Sequence, residues 1–183
     1  MKRREFVKKS SLFLGFAVTS QSLLINQNDA YALPAPMQVL GIQETRIIDI
    51  LGEAIVPGAK SSGLSQYLDQ QLSQKRDSDC LLMIRYLGVP SPFNSFYLSG
   101  LSAVDKSSGI KFGKSFDQLN EQELEEFVEL MAKDSLPDWK GPPSSFFYFV
   151  FRSDAIDVTY GTQDSFRELG IPYMAHIIPT KNW

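Results

Sequence analysis

Phe146, Phe147, Tyr148, Phe149, Val150 and Phe151 stand side by side in the most apolar stretch after residue 32. Periodicity alone does not separate a buried strand from a buried helix in so short a run. The flanks favour a helix: Pro142 and Pro143 precede it, Ile156 and Tyr160 continue the helical spacing, and Gly161 can close it. A helix that is aromatic nearly all the way round needs cover on every side. Either the domain buries it completely or one flank awaits another protein, since contiguous exposed rings mark contact surfaces and dominate binding energy there. Phe146, Phe147, Tyr148, Phe149 and Phe151 are therefore candidate partner-interface residues, with Tyr173, Met174 and Trp183 of the tail.

The remaining chain supplies helices to surround that run. Ile47, Ile48, Leu51 and Ile55 share one helical face between Glu44 and Val56, and Pro57-Gly58 ends it; Leu64, Tyr67, Leu68 and Leu72 repeat the spacing. Asp77 or Asp79 is expected to cap a third helix carrying Leu81, Leu82, Ile84 and Leu87, with Gly88 near its end. Ser91-Pro92 reads as a cap with proline at the first helical position, followed by Phe93, Phe96, Tyr97, Leu101 and Val104. Ser107 to Gly113 reads as a loop. Asn120 and Glu123 form a capping box for a helix with the stripe Leu124, Phe127, Val128 and Met131. Its Glu121, Glu125, Glu126 and Glu129 read as a solvated face, the alternative being a surface for a specific basic partner. Pro137 to Pro143 is a turn-rich link, and Phe166 to Trp183 an irregular arm. The expected fold is all-α, a compact bundle of about five or six helices with that arm at its C-terminal end.

The first 32 residues read as a leader. Arg3 and Arg4 precede Phe6, Val7 and Lys8, and the string resembles a bacterial twin-arginine export signal, a route for cargo that is already folded. Leu12 to Val18 is moderately apolar and too short to cross a bilayer, which takes about 20 apolar residues. Ala30 and Ala32 flank Tyr31 in the small-x-small pattern of a cleavage site. An ordinary secretory signal, or a basic start with no export role, is the alternative. The organisation is then residues 1–32 signal, 33–42 extended leader, and 43–183 helical domain. The whole chain carries 18 basic and 21 acidic residues. The leader holds Lys2, Arg3, Arg4, Lys8 and Lys9 against Glu5 and Asp29, so the remainder is more acidic still, which argues against nucleic acid or anionic lipid as main partner.

Chemistry is hard to find. Cys80 and His176 are the sole cysteine and histidine, too few for an internal disulfide, a usual zinc site or a haem attachment motif. Cys80 reads as a buried apolar residue, the alternative being a thiol that faces a partner chain. Gly109 to Ser115 comes near a phosphate loop but has three residues between its glycines where four are needed, and a helix precedes it. Neither a dinucleotide fingerprint nor a complete nucleophile elbow occurs. Asp154 and Asp157, one turn apart, read as surface charges with no sign of a shifted pKa.

Several segments, spread over nearly all of the chain after the leader, give a family resemblance, and the closing one is the most specific. Asp157-Val158-Thr159-Tyr160-Gly161-Thr162, then Leu169-Gly170-Ile171-Pro172-Tyr173-Met174-Ala175-His176-Ile177, with Ala54-Ile55-Val56-Pro57-Gly58-Ala59, Tyr67-Leu68-Asp69, Phe116 to Glu123 and the aromatic helix from Phe146, resemble the gluconate 2-dehydrogenase subunit 3 family. These are small (gamma) subunits of membrane-associated, FAD-dependent sugar and polyol dehydrogenases. Many members have a glycine-rich insertion and a tryptophan after the aromatic helix, whereas Thr162, Gln163 and Asp164 here lead straight to Phe166. That leaves the sugar subclass open. The resemblance implies a chain with no catalytic, cofactor-binding or metal residues of its own. It implies a flavoprotein large subunit of the GMC oxidoreductase type holding FAD, and a cytochrome c subunit holding haem c as electron acceptor. The small subunit would stabilise the flavoprotein and escort it through the twin-arginine translocase to the periplasmic face of the inner membrane. The competing expectation is a stand-alone periplasmic helical protein, binding or structural, with no redox partner.

Overall fold

The computed structural model describes residues 36–172, which form seven α-helices and no strand. These are α1 (Ile42–Ile55), α2 (Leu64–Leu72), the short α3 (Met83–Tyr86), α4 (Phe93–Phe112), α5 (Glu121–Ala132), α6 (Ser144–Tyr160) and α7 (Gln163–Glu168). Single 3-10 turns sit at Asp77–Asp79 and Phe116–Gln118. The aromatic run is the helix α6, and it packs against each of the other six helices. That position explains its composition: a rod surrounded by neighbours is apolar on most of its sides.

Around α6 the amphipathic helices turn their stripes inward. Ile47, Ile48 and Leu51 of α1, Leu64, Leu68 and Leu72 of α2, and Phe127 and Met131 of α5 are buried with Phe147, Val150, Phe151 and Ala155 in one core. The capping box at the start of α5 is formed: Asn120 Oδ1 accepts the Glu123 N–H at 3.0 Å while Glu123 Oε2 accepts the Asn120 N–H at 2.9 Å. Carboxylates reaching across the chain hold several joints. Asp69 of α2 accepts the N–H groups of Gln38, Val39 and Leu40 at 2.8, 2.8 and 2.9 Å, and so pins the segment entering α1, within which Leu40 is already buried. Asp134 accepts the Ser145 N–H at 2.8 Å and the Ser144 hydroxyl at 3.0 Å, capping α6 from beyond the end of α5.

Four expectations need correction. The third helix shrinks to Met83–Tyr86, because Asp79 is engaged by Arg76 at 3.0 Å and by Ser78 and caps nothing; Leu81 is left exposed. Pro92 is the extended residue before α4, which begins at Phe93. Ser107 to Phe112 continue α4 and are no loop: Ser107 and Ser108 are buried and donate to the carbonyls of Pro137 and Lys114, both at 2.9 Å, so residues that favour turns are satisfied within a helix. The helix ends at Gly113, whose φ of 70° is the left-handed geometry glycine adopts without strain. Lastly, the segment from Phe166 starts inside α7, capped by the Thr162 hydroxyl, before becoming irregular.

Candidate functional site

The two flanks of α6 meet different surroundings. On the inner flank Phe147 lies beneath α4, where Gly100 leaves room for its ring; a Cβ at Gly100 would stand 2.2 Å from a ring carbon. The rings of Phe96, Tyr97, Trp139 and Phe151 surround it at centroid distances of 5.6, 6.4, 6.2 and 5.8 Å. Such pairs each add about 0.5–1.5 kcal/mol beyond area burial. Phe147 and Phe151 are wholly buried, which corrects their candidacy as partner contacts: the domain's own core has taken both.

The outer flank carries Phe146, Phe149, Ser153, Ile156 and Tyr160, alternately three and four residues apart. That interval keeps them in a line along one side of a helix, the geometry by which helices receive other helices. Phe149 is 48% exposed and Tyr160 41%. Phe146, Tyr148 and Ile156 are half-buried against the core, and Phe146 stands edge-on to Phe96 at 5.7 Å. Rings held in place this way lose little rotamer freedom on docking. The stripe therefore retains Phe146 and Phe149 from the aromatic run and adds Ile156 and Tyr160, while Tyr148, one position before Phe149, lies off this line and is half-buried. Tyr173, Met174 and Trp183, the export-signal residues Arg3, Arg4, Phe6, Val7 and Lys8, and the cleavage residues Ala30 and Ala32 lie outside the described residues.

On the core side of α6 sits a group that its spacing from Asp157 alone reads as a surface charge. Asp154 is no surface charge: it is 1% exposed, accepts the Met83 N–H on Oδ1 at 2.8 Å and the Tyr97 hydroxyl on Oδ2 at 2.5 Å. One side chain thus bolts α3 and α4 to α6. Removal from water pushes its carboxyl up to about 7; the two donors pull the other way without cancelling this, and Asp157 adds a like charge. Tyr97, buried beside it, is held protonated as the donor, and Tyr67 is pushed up to about 12 by its own burial and by Asp154. Asp69 gives the contrast. Burial raises it too, but three backbone N–H groups outweigh that and hold it below the usual carboxylate range. A signal for Asp154 existed: it lies seven residues beyond Phe147 and three beyond Phe151, in phase with the core side of its helix.

Both oxygens of Asp154 are engaged and the side chain is sealed from solvent, so its chemistry is that of a lock between helices. The near-match to a phosphate loop falls on the last turn of α4 and its cap, where Lys114 pairs with Glu123 at 2.7 Å. A phosphate loop places its backbone N–H groups ahead of a helix, and these stand at the wrong end of one. No group of three potential metal ligands occurs among the described residues, and no helix there is long and apolar enough to cross a membrane. Cys80 is buried.

Comparison with known proteins agrees with the resemblance. The family model described as gluconate 2-dehydrogenase subunit 3 matches residues 42–169, well over half of the chain, from the first turn of α1 to just beyond α7. No curated protein and no solved structure matches. The chain belongs to the gluconate 2-dehydrogenase subunit 3 family, whose members are accessory subunits of a dehydrogenase complex.

Proposed function

We propose that this chain is the non-catalytic small subunit of a periplasmic, FAD-dependent dehydrogenase acting on a sugar, a polyol or a gluconate-type acid. The outer stripe of α6 carries the reading: five positions in line, aromatic or aliphatic at four of them, pinned from beneath by the Phe96 ring and still open to a partner. Its partner in this proposal is a flavoprotein large subunit of the GMC oxidoreductase type, which binds FAD and oxidises the substrate. A cytochrome c subunit with haem c then takes the electrons. The small subunit stabilises the flavoprotein and brings it, folded around its cofactor, to the twin-arginine translocase through Arg3 and Arg4. The complex works at the periplasmic face of the inner membrane.

Family membership supports the accessory role, and the lock at Asp154 supports a scaffold whose polar core groups serve the fold. The test is to produce the large subunit with and without this chain, and with the Arg3→Lys, Arg4→Lys double variant. We expect soluble, flavin-loaded enzyme only when the small subunit is present, and periplasmic activity only when both arginines are intact. A large subunit equally soluble, loaded and exported on its own contradicts the proposal.

A further inference from the structure

Helices α1 and α5, with Lys60, line an open groove of about 670 Å³. Its construction is regular. Each helix offers one carboxylate pair four residues apart, Asp49 with Glu53 and Glu121 with Glu125, and one apolar pair at the same interval, Ile50 with Ala54 and Leu124 with Val128. The result is an apolar floor between two acidic rims, about two helical turns long. Four carboxylates face one lysine.

How the acids of α5 are paired distinguishes the groove from an ordinary solvated face. Glu123 is held by Lys114, Glu126 by Lys111 at 2.9 Å, and Glu129 by Lys133. Glu121 and Glu125, the two glutamates of α5 that line the groove, have no basic partner among the described residues, and the same is true of Asp49 across the gap. Glu53 turns back to accept the N–H groups of Gly58 and Lys60 at 3.0 and 3.2 Å, which fixes the wall at that end. Lysines thus neutralise this helix everywhere except along the groove.

We propose that the groove seats a basic amphipathic helix belonging to a protein partner, its apolar residues on Ile50, Leu124 and Val128 and its lysines or arginines between the unpaired carboxylates. A concave acidic trough repels anionic lipid and matches such a helix in both shape and charge. This site shares no residue with the outer stripe of α6 and does not depend on the flavoprotein reading.

The test titrates the full-length chain into a labelled synthetic helix of about 18 residues, with leucines on one face and lysines flanking them, and into its glutamate counterpart. Fluorescence anisotropy should show binding of the lysine helix alone. Asp49→Asn combined with Glu121→Gln and Glu125→Gln should weaken it about tenfold or more at unchanged melting temperature, as should Leu124→Ser with the acids intact in a chain that circular dichroism shows still folded. Equal affinity for the wild type and the triple variant overturns the proposal, as does no binding by the wild type. A dimer in sedimentation that the triple variant abolishes overturns it in favour of a second copy of the chain.

Discussion

The inner and outer flanks of α6 are written in the same aromatic alphabet and do opposite things. Phe147 and Phe149, two positions apart, illustrate the difference: one is enclosed by four other rings and a glycine, while the other has half its surface in water. An aromatic run thus marks a helix that many neighbours need, and only the part those neighbours leave uncovered is available to another protein. Burial energy belongs to the inner flank, and the proposed recognition of a partner rests on the outer one.

Substitutions on the two flanks should separate stability from assembly. The largest effect is expected for Phe147→Ala, which empties the centre of the ring cluster and should lower the unfolding free energy by about 3–5 kcal/mol in urea titration. Gly100→Ala attacks the same contact from α4. Its methyl group has no space above a ring that cannot move aside, and about 1–3 kcal/mol of destabilisation should follow. If Gly100→Ala is instead neutral, the ring is less confined than its surroundings indicate.

Asp154 sharpens the comparison through pH. Folding raises its pKa from the ordinary 3.8 to about 7, so between those values the folded chain holds a proton that the unfolded chain has released. The contribution of this group to stability therefore falls as pH rises through that window. Asp154→Asn should cost about 1 kcal/mol near pH 4, where the native acid is protonated, and the difference should shrink or reverse by pH 8. Asp69 runs the other way. Its pKa is depressed, its stabilisation is present above the unfolded value, and the penalty of Asp69→Asn should be greatest at neutral pH and fade in acid. Thermal melts of both variants across pH check the two opposite slopes. The smallest effect on stability is expected for Phe149→Ser, within about 0.5 kcal/mol of wild type.

Much of this arrangement could be read before the structure, for identifiable reasons. Helices α1 and α2 announce themselves by spacing, and the Asn120–Glu123 box is local enough to be spelled out in four residues. What escaped depends on side-chain partners, near or far in sequence, that apolar spacing does not specify. Ser107 and Ser108 have loop-forming chemistry, and the carbonyls of Pro137 and Lys114 satisfy their hydroxyls within the helix. Asp79 looked like a cap until Arg76 and Ser78 claimed it. The role of Asp154 needs Tyr97 and Met83, which lie 57 and 71 residues away. The site divides the same way: the aromatic residues were evident, whereas the line that Ile156 and Tyr160 complete appears once the inner flank has been filled. The groove between α1 and α5 is likewise invisible until Lys111, Lys114 and Lys133 are seen to pair with the other glutamates.

In the proposed complex the outer stripe of α6 grips a flavoprotein large subunit. A variant carrying Phe149→Ser, Ile156→Ser and Tyr160→Ser, co-expressed with that flavoprotein and recovered by a tag on the small subunit, measures this directly through bound flavin absorbance. We predict that the variant remains folded by circular dichroism and recovers less than about a tenth of the flavin. Recovery of wild-type amounts of flavoprotein by the folded triple variant would contradict the account.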